Sequence, residues 1–236
     1  MKRAVRVAAL AAIVLPAWAG CSSILGLEEA HLDSTPAEGG PPRTLCEQYC
    51  DAALANCPDL TKEGGPNYTL YFSRAECMAT CAVFPEGEAG DESGNTMHCR
   101  LRAAGLAVDL EEPETYCPIA GPGGNATGAQ PGCGANCEGF CTMARAMCPA
   151  TFDAVESELT VENCDSFCAD LPDLGGFDID QDNGNSVQCR IYHASAATLD
   201  AATHCLHVAD KIEIDRPGGP CHAEPDAGKP DADAGD

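Results

Sequence analysis

Cysteines mark the apolar stripe of this chain. They stand as Cys46-x3-Cys50-x6-Cys57 and again as Cys137-x3-Cys141-x6-Cys148. A helix advances about 100° per residue, so steps of four and eleven stay within roughly 40° of the starting face. Each trio therefore lies on one side of a helix. A shorter set follows each trio, Cys77-x3-Cys81 and Cys164-x3-Cys168. No stretch shows the strict apolar–polar alternation of a half-buried strand. The pattern predicts an all-α chain with long loops.

Three helices are expected per unit. The first spans Leu45 to Cys57 and stops at Pro58, which cannot continue it. Ser73-Arg74-Ala75-Glu76 has the form of a capping box and starts the second, which runs to Val83. Thr160 takes the equivalent place before Cys164. Asn95 and Asn185 are the expected N-caps of the third pair, ending near Val108 and Thr198. A short helical turn is expected near Asp200 to His204.

The cysteines also carry an internal duplication. Repeat one has Cys46, Cys50, Cys57, Cys77, Cys81, Cys99, Cys117 and Cys133. Repeat two has Cys137, Cys141, Cys148, Cys164, Cys168, Cys189, Cys205 and Cys221. The flanks agree. Pro58 and Pro149 follow the third cysteine, Gly94-Asn95-Thr96 and Gly184-Asn185-Ser186 precede the sixth, and Arg100 and Arg190 follow it. Spacing and flanks together mark two copies of one unit, 44–133 and 134–221.

At the N-terminus, Lys2, Arg3 and Arg6 precede the apolar run Val7 to Leu15. The run is far shorter than the about 20 residues of a membrane span and fits an export signal over residues 1–20. It ends Ala17-Trp18-Ala19-Gly20-Cys21. This resembles the lipobox of bacterial lipoproteins, which implies that Cys21 becomes the lipidated first residue of the mature chain. Trp18 departs from the Leu usual at its place. The rival is cleavage after Ala19, leaving a free thiol at Cys21. Parity favours lipidation: of 17 cysteines, setting Cys21 aside leaves 16, two sets of eight. Ser22 follows the Cys. By resemblance to the enterobacterial sorting pattern, the absence of Asp there implies the outer membrane. Cys21 to Glu29 also resembles the start of uncharacterised lipoproteins of myxobacteria.

Residues 21–43 then form the anchor and a Pro- and Gly-rich tether. Residues 222–236 form an acidic tail without bulky apolar side chains, expected to be disordered.

The twin Cys-x3-Cys pattern resembles α-hairpin scaffolds in which two antiparallel helices are bridged twice. Antiparallel packing then joins Cys46 to Cys81 and Cys50 to Cys77, and Cys137 to Cys168 and Cys141 to Cys164. If the third helix descends beside the first, Cys57 meets Cys117 and Cys99 meets Cys133, with Cys148–Cys205 and Cys189–Cys221 in the second copy. If the loop from Phe84 to Gly94 reverses that helix, Cys57–Cys99 is the alternative. Eight cysteines allow on the order of a hundred pairings, so helix geometry alone makes this choice.

Charge and composition narrow the chemistry. The net charge is −24, a field that repels nucleic acid and anionic surfaces. Aromatic residues are 5% of the chain, too few for a large aromatic core, so covalent cross-links must supply stability. No Cys-x-x-Cys occurs for thiol redox work, no Gly-x-Ser-x-Gly for an acyl nucleophile, and no phosphate loop between strand and helix.

Two metal readings arise. Asp178-Ile179-Asp180-Gln181-Asp182-Asn183-Gly184 resembles the opening of an EF-hand loop, so Asp178, Asp180 and Asp182 are candidate calcium ligands. The Gly falls one place late, and Cys189 stands where the bidentate Glu belongs. A solvated acidic loop is the alternative. His193 and His204-Cys205-Leu206-His207 are dense in zinc ligands, but repeat one has Ala103 and Tyr116 at the places of His193 and His204. A duplicated structural zinc site is therefore not expected.

The sequence thus reads as a lipid-anchored, extracytoplasmic, non-enzymatic binding or structural module of the cell envelope. No cofactor is required, and its protein or envelope ligand is not specified by any motif. A calcium-dependent binder and an envelope enzyme or thiol-redox protein are the alternatives.

Overall fold

Eight α-helices and no strand make up the described part of the computed structural model, which covers residues 42–65, 67–124, 132–150, 164–208 and 219–221. The signal, Cys21, the tether, Thr160 and the tail lie outside the described residues. From Arg43 onward the described residues form one compact unit.

The helices of repeat one are α1 (Leu45–Asn56), α2 (Arg74–Cys81), α3 (Met97–Asp109) and α4 (Pro113–Ala120). Those of repeat two are α5 (Asn136–Met147), α6 (Cys164–Ala169), α7 (Val187–Ala196) and α8 (Ala201–Val208). Among the described residues each unit therefore shows four α-helices of six residues or more, not three. The turn expected near Asp200 is the start of a two-turn helix, and its counterpart α4 begins with Pro113 in the first turn, where a missing N–H costs nothing. In both units the first helix packs on the second and third, and the third on the fourth.

Local chemistry sets the helix starts. Thr44 and Glu47 form a reciprocal capping box on α1: the Glu47 N–H donates to Thr44 Oγ1 at 3.2 Å, and the Thr44 N–H to Glu47 Oε2 at 2.7 Å. Ser73 caps α2 through the Glu76 N–H, but the Glu76 carboxylate reaches one residue further, to the Phe72 N–H at 2.8 Å. Helix α2 ends at Cys81, two residues short of Val83.

The caps of α3 and α7 are Thr96 and Ser186, not Asn95 and Asn185. Their hydroxyls accept from the N–H groups of Cys99 and Cys189. The asparagines do something else: each carbonyl oxygen accepts from the guanidinium of the buried arginine five residues on, Arg100 at 2.7 Å and Arg190 at 3.1 Å. Each guanidinium also donates to backbone carbonyls. Arg100 reaches Thr96, Gly121 and Pro122, and Arg190 reaches Ser186 and Cys221. A buried cation needs such donors filled, and here it ties the start of the third helix to the closing loop of its unit.

Eight bridges staple the helices, all within a repeat. Cys46–Cys81 and Cys50–Cys77 join α1 to α2, and Cys137–Cys168 and Cys141–Cys164 join α5 to α6. Cys57–Cys117 and Cys148–Cys205 join the end of the first helix to the fourth. Cys99–Cys133 and Cys189–Cys221 tie the third helix to the end of its unit. Cys57 therefore meets the fourth helix rather than Cys99.

The core between the bridges is narrow. Tyr49 and Tyr71 are fully buried with hydroxyls 2.8 Å apart, and the Tyr49 hydroxyl donates to the Ala120 carbonyl at 2.7 Å. Phe140, Met143, Val187 and Ile191 are buried in the second unit.

The two units also meet each other. Ser195 donates to the Glu76 carboxylate at 2.8 Å and lies 3.2 Å from the Thr80 hydroxyl. Asn95 donates to Thr142, and the Ile179 N–H to the Thr69 carbonyl. Phe72 and Tyr192 stack edge-to-face with centroids 5.5 Å apart. At Gly139 of α5, an added Cβ would stand 2.3 Å from the Pro122 carbonyl oxygen and 2.8 Å from that of Gly123. The absent side chain lets the helix rest on the loop that closes unit one.

Candidate functional site

A cluster of titratable side chains lies in repeat two, where α7 packs on α8. His193 is on α7. His204 and His207 are three apart on α8 and so share a face of it. Asp200 starts α8: its carboxylate accepts from the Thr203 N–H and hydroxyl, and its carbonyl from the His204 N–H. That cap fixes where the two α8 histidines emerge.

His193 is buried, with only 6% of its surface exposed; His204 and His207 are half-buried. Nδ1 of His193 lies 2.9 Å from Nδ1 of His204, and Nε2 of His193 lies 3.2 Å from the Asp182 carbonyl oxygen. A carbonyl can only accept, so Nε2 of His193 carries the proton. Burial first, then the neighbouring His207 and His204, pull His193 down to about 4, so its ring is neutral at ordinary pH. A neutral ring protonated on Nε2 has a bare Nδ1. The proton between the two Nδ1 atoms therefore belongs to His204. The His207 ring centre is 4.8 Å from that of His193. Burial also lowers His204.

The acidic loop is arranged differently. Asp178 Oδ1 accepts from the Asp180 N–H at 2.8 Å, Asp180 Oδ2 from the Asn67 amide at 3.0 Å, and Asp182 Oδ1 from the Asn183 amide at 2.7 Å. Each of the three carboxylates thus already accepts a protein hydrogen bond. Asp180 uses its bond to join repeat two to repeat one. Burial raises Asp178 above the ordinary carboxylate value. Among the described residues, one set of three potential ligand groups has its atoms within 4.8 Å of one another: Cys189, His193 and Cys221. The two sulfurs are bonded to each other, so that set offers one nitrogen beside a disulfide.

The duplication supplies a natural comparison. Counted from the sixth and seventh cysteines, Asp182, His193, His204 and His207 correspond to Glu92, Ala103, Tyr116 and Ile119. In repeat one those four residues line a cavity of about 220 Å³ that also touches Cys99 and Leu106. At the matching positions repeat two carries three histidines in place of Ala103, Tyr116 and Ile119. Sequence spacing exposes His193 and His204 as departures from the repeat. The backbone carbonyl of Asp182 has no signal in the sequence, because only the fold brings that loop over α7.

All sixteen cysteines from Cys46 onward are in bridges, so no described thiol is available as a nucleophile. No described helix is long and apolar enough to cross a membrane. So many disulfides belong to an oxidising compartment outside the cytoplasm. No protein-family model matches this chain, and neither a curated protein nor a solved structure does.

Proposed function

We propose that this protein is a non-enzymatic module of the cell envelope, exported and held at the membrane by a lipid on Cys21. The observation that carries the reading is the complete pairing of the sixteen cysteines after Cys21, which leaves that one residue outside the disulfide scaffold. A thiol spared from pairing directly after an export signal is what a lipid acceptor requires.

Several features support a binding or structural role. The buried Ser195–Glu76 hydrogen bond joins a helix of each repeat and so belongs to the packing between the two copies. The bridges hold both copies rigid, which suits a scaffold that presents surface rather than one that cycles through redox states. Its strong negative charge favours cationic or basic partners and disfavours nucleic acid. The sorting resemblance of Ser22 favours the outer membrane.

The test is acylation. In the native host, labelled fatty acid enters the wild-type protein and not a Cys21→Ser variant, and the variant accumulates unprocessed or is released. Absence of label from the wild type overturns the anchor.

A further inference from the structure

We propose that the cleft between α3 and α4 of repeat one binds a small organic cation, an ammonium group carried on an apolar body the size of one six-membered ring. The site rests on the cleft alone and not on the lipid at Cys21, so its test and the acylation test fail separately.

The floor of the cleft is apolar. Ala103 and Ile119 are buried there, beside the buried Cys99–Cys133 bridge. Leu106 adds a half-buried aliphatic wall. The space they enclose is about 220 Å³. Protein interiors hold few voids larger than a water molecule. An apolar cavity of about 150 Å³ accepts benzene, and drug-sized ligands occupy about 300–1,000 Å³. The volume therefore suits one ring with a short arm.

The mouth is polar and acidic. Glu92, Arg102 and Leu110 line it, and all three are exposed. Arg102 Nη2 donates to Glu92 Oε1 at 3.0 Å, which leaves Oε2 of Glu92 for a second donor. The side chains of Arg102 and Glu92 are 43% and 70% exposed, so this is a surface pair that an incoming charge joins or displaces at little cost. Asp109 and Glu111 flank Leu110 in the chain, and both are exposed. Carboxylates thus outnumber the one guanidinium around the mouth, in a chain of net charge −24. Such a field draws cations and repels anions. Tyr116 also lines the cleft and supplies an aromatic ring, whose face attracts an ammonium group.

Both walls are held covalently. Cys99–Cys133 ties α3 to the end of the unit, and Cys57–Cys117 ties α4 to α1. A ligand therefore meets a preformed site and little has to be ordered when it binds. Repeat two shows which change would block the cleft. At the place of Ala103 it has His193, whose buried ring packs on those of His204 and His207. The same scaffold thus carries a bulky side chain at that position.

The experiment titrates benzylamine into the mature, disulfide-intact chain, by calorimetry and by methyl spectra of Leu106 and Ile119. Salt at about 0.15 M is present throughout to screen diffuse attraction to the acidic surface. Benzyl alcohol and benzoate are the neutral and anionic analogues of the same size. The expected result is one saturable site that shifts both methyl groups. Benzylamine should bind about threefold or more tighter than benzyl alcohol, and benzoate weakest. Glu92→Gln should bring benzylamine down to the level of benzyl alcohol, and Ala103→His should abolish binding of both. Circular dichroism with a free-thiol count verifies that each variant is folded and fully bridged; Ala103→Val, with a smaller loss expected, replaces a histidine variant that fails to fold. Absence of saturable benzylamine binding overturns the site. So does binding that survives in the folded position-103 variant. Benzyl alcohol or benzoate binding as tightly as benzylamine, or an unchanged preference in Glu92→Gln, overturns the choice of a cation.

Discussion

Glu76 shows how one residue links two copies of a fold. Its carboxylate is buried and accepts from the Phe72 N–H within repeat one and from the Ser195 hydroxyl in repeat two. Burial holds its pKa above the ordinary value of 4.5. The native chain therefore keeps this proton to higher pH than the unfolded chain does. Between the unfolded value and the raised native one, stability falls as pH rises; below both and above both this residue adds no slope. Glu76→Gln removes the titration while keeping one acceptor. Denaturant midpoints followed upward from about pH 4 should show the wild type losing ground to the variant across that interval. Parallel curves would contradict the assignment. Sequence alone reads Glu76 as half of a capping box with Ser73. It cannot show that the carboxylate passes over Ser73 to Phe72, because the partner that draws it inward, Ser195, is 119 residues away.

At the scale of elements, the caps and the fourth helices separate what sequence carries from what it does not. Thr96 and Asn95 are both good N-cap residues, and propensity does not choose between them. The choice falls to Thr96 because Asn95 is needed by the buried Arg100, a demand that exists only once the closing loop at Gly121 and Pro122 has folded back. Helix α4 is short and carries a second proline, Pro118, which obscures its helical signal; its Pro113 start is legible only beside Cys117, which the bridge to Cys57 anchors. The long helices α1 and α5 are legible outright, since their cysteine stripes are periodic and Pro58 and Pro149 stop them. Element packing supplies a direct test at Gly139. Gly139→Ala places a methyl against two backbone carbonyl oxygens that cannot rotate away. It should destabilise the chain by about 1–3 kcal/mol, as read from the denaturant midpoint. An equivalent change at Gly105 of α3, where an added Cβ meets nothing within 4 Å, should be neutral or slightly stabilising.

For the whole molecule, the central fact is a thin core with many staples. Few large apolar side chains are available, so the free energy that a larger domain draws from burial must come here in part from constraining the unfolded chain. The bridges close loops separated by 23 to 60 residues, each a contribution on the order of 2–5 kcal/mol. Duplication explains the even division into two sets of eight. The same staples hold both copies although matched positions differ, Ala103, Tyr116 and Ile119 in one against His193, His204 and His207 in the other. The measurement that tests this account most directly is non-reducing peptide mapping of the exported protein. It should recover Cys46–Cys81, Cys50–Cys77, Cys57–Cys117 and Cys99–Cys133 from repeat one, and Cys137–Cys168, Cys141–Cys164, Cys148–Cys205 and Cys189–Cys221 from repeat two. A peptide joining any cysteine of 44–133 to one of 134–221, or a Cys57–Cys99 link, would contradict it.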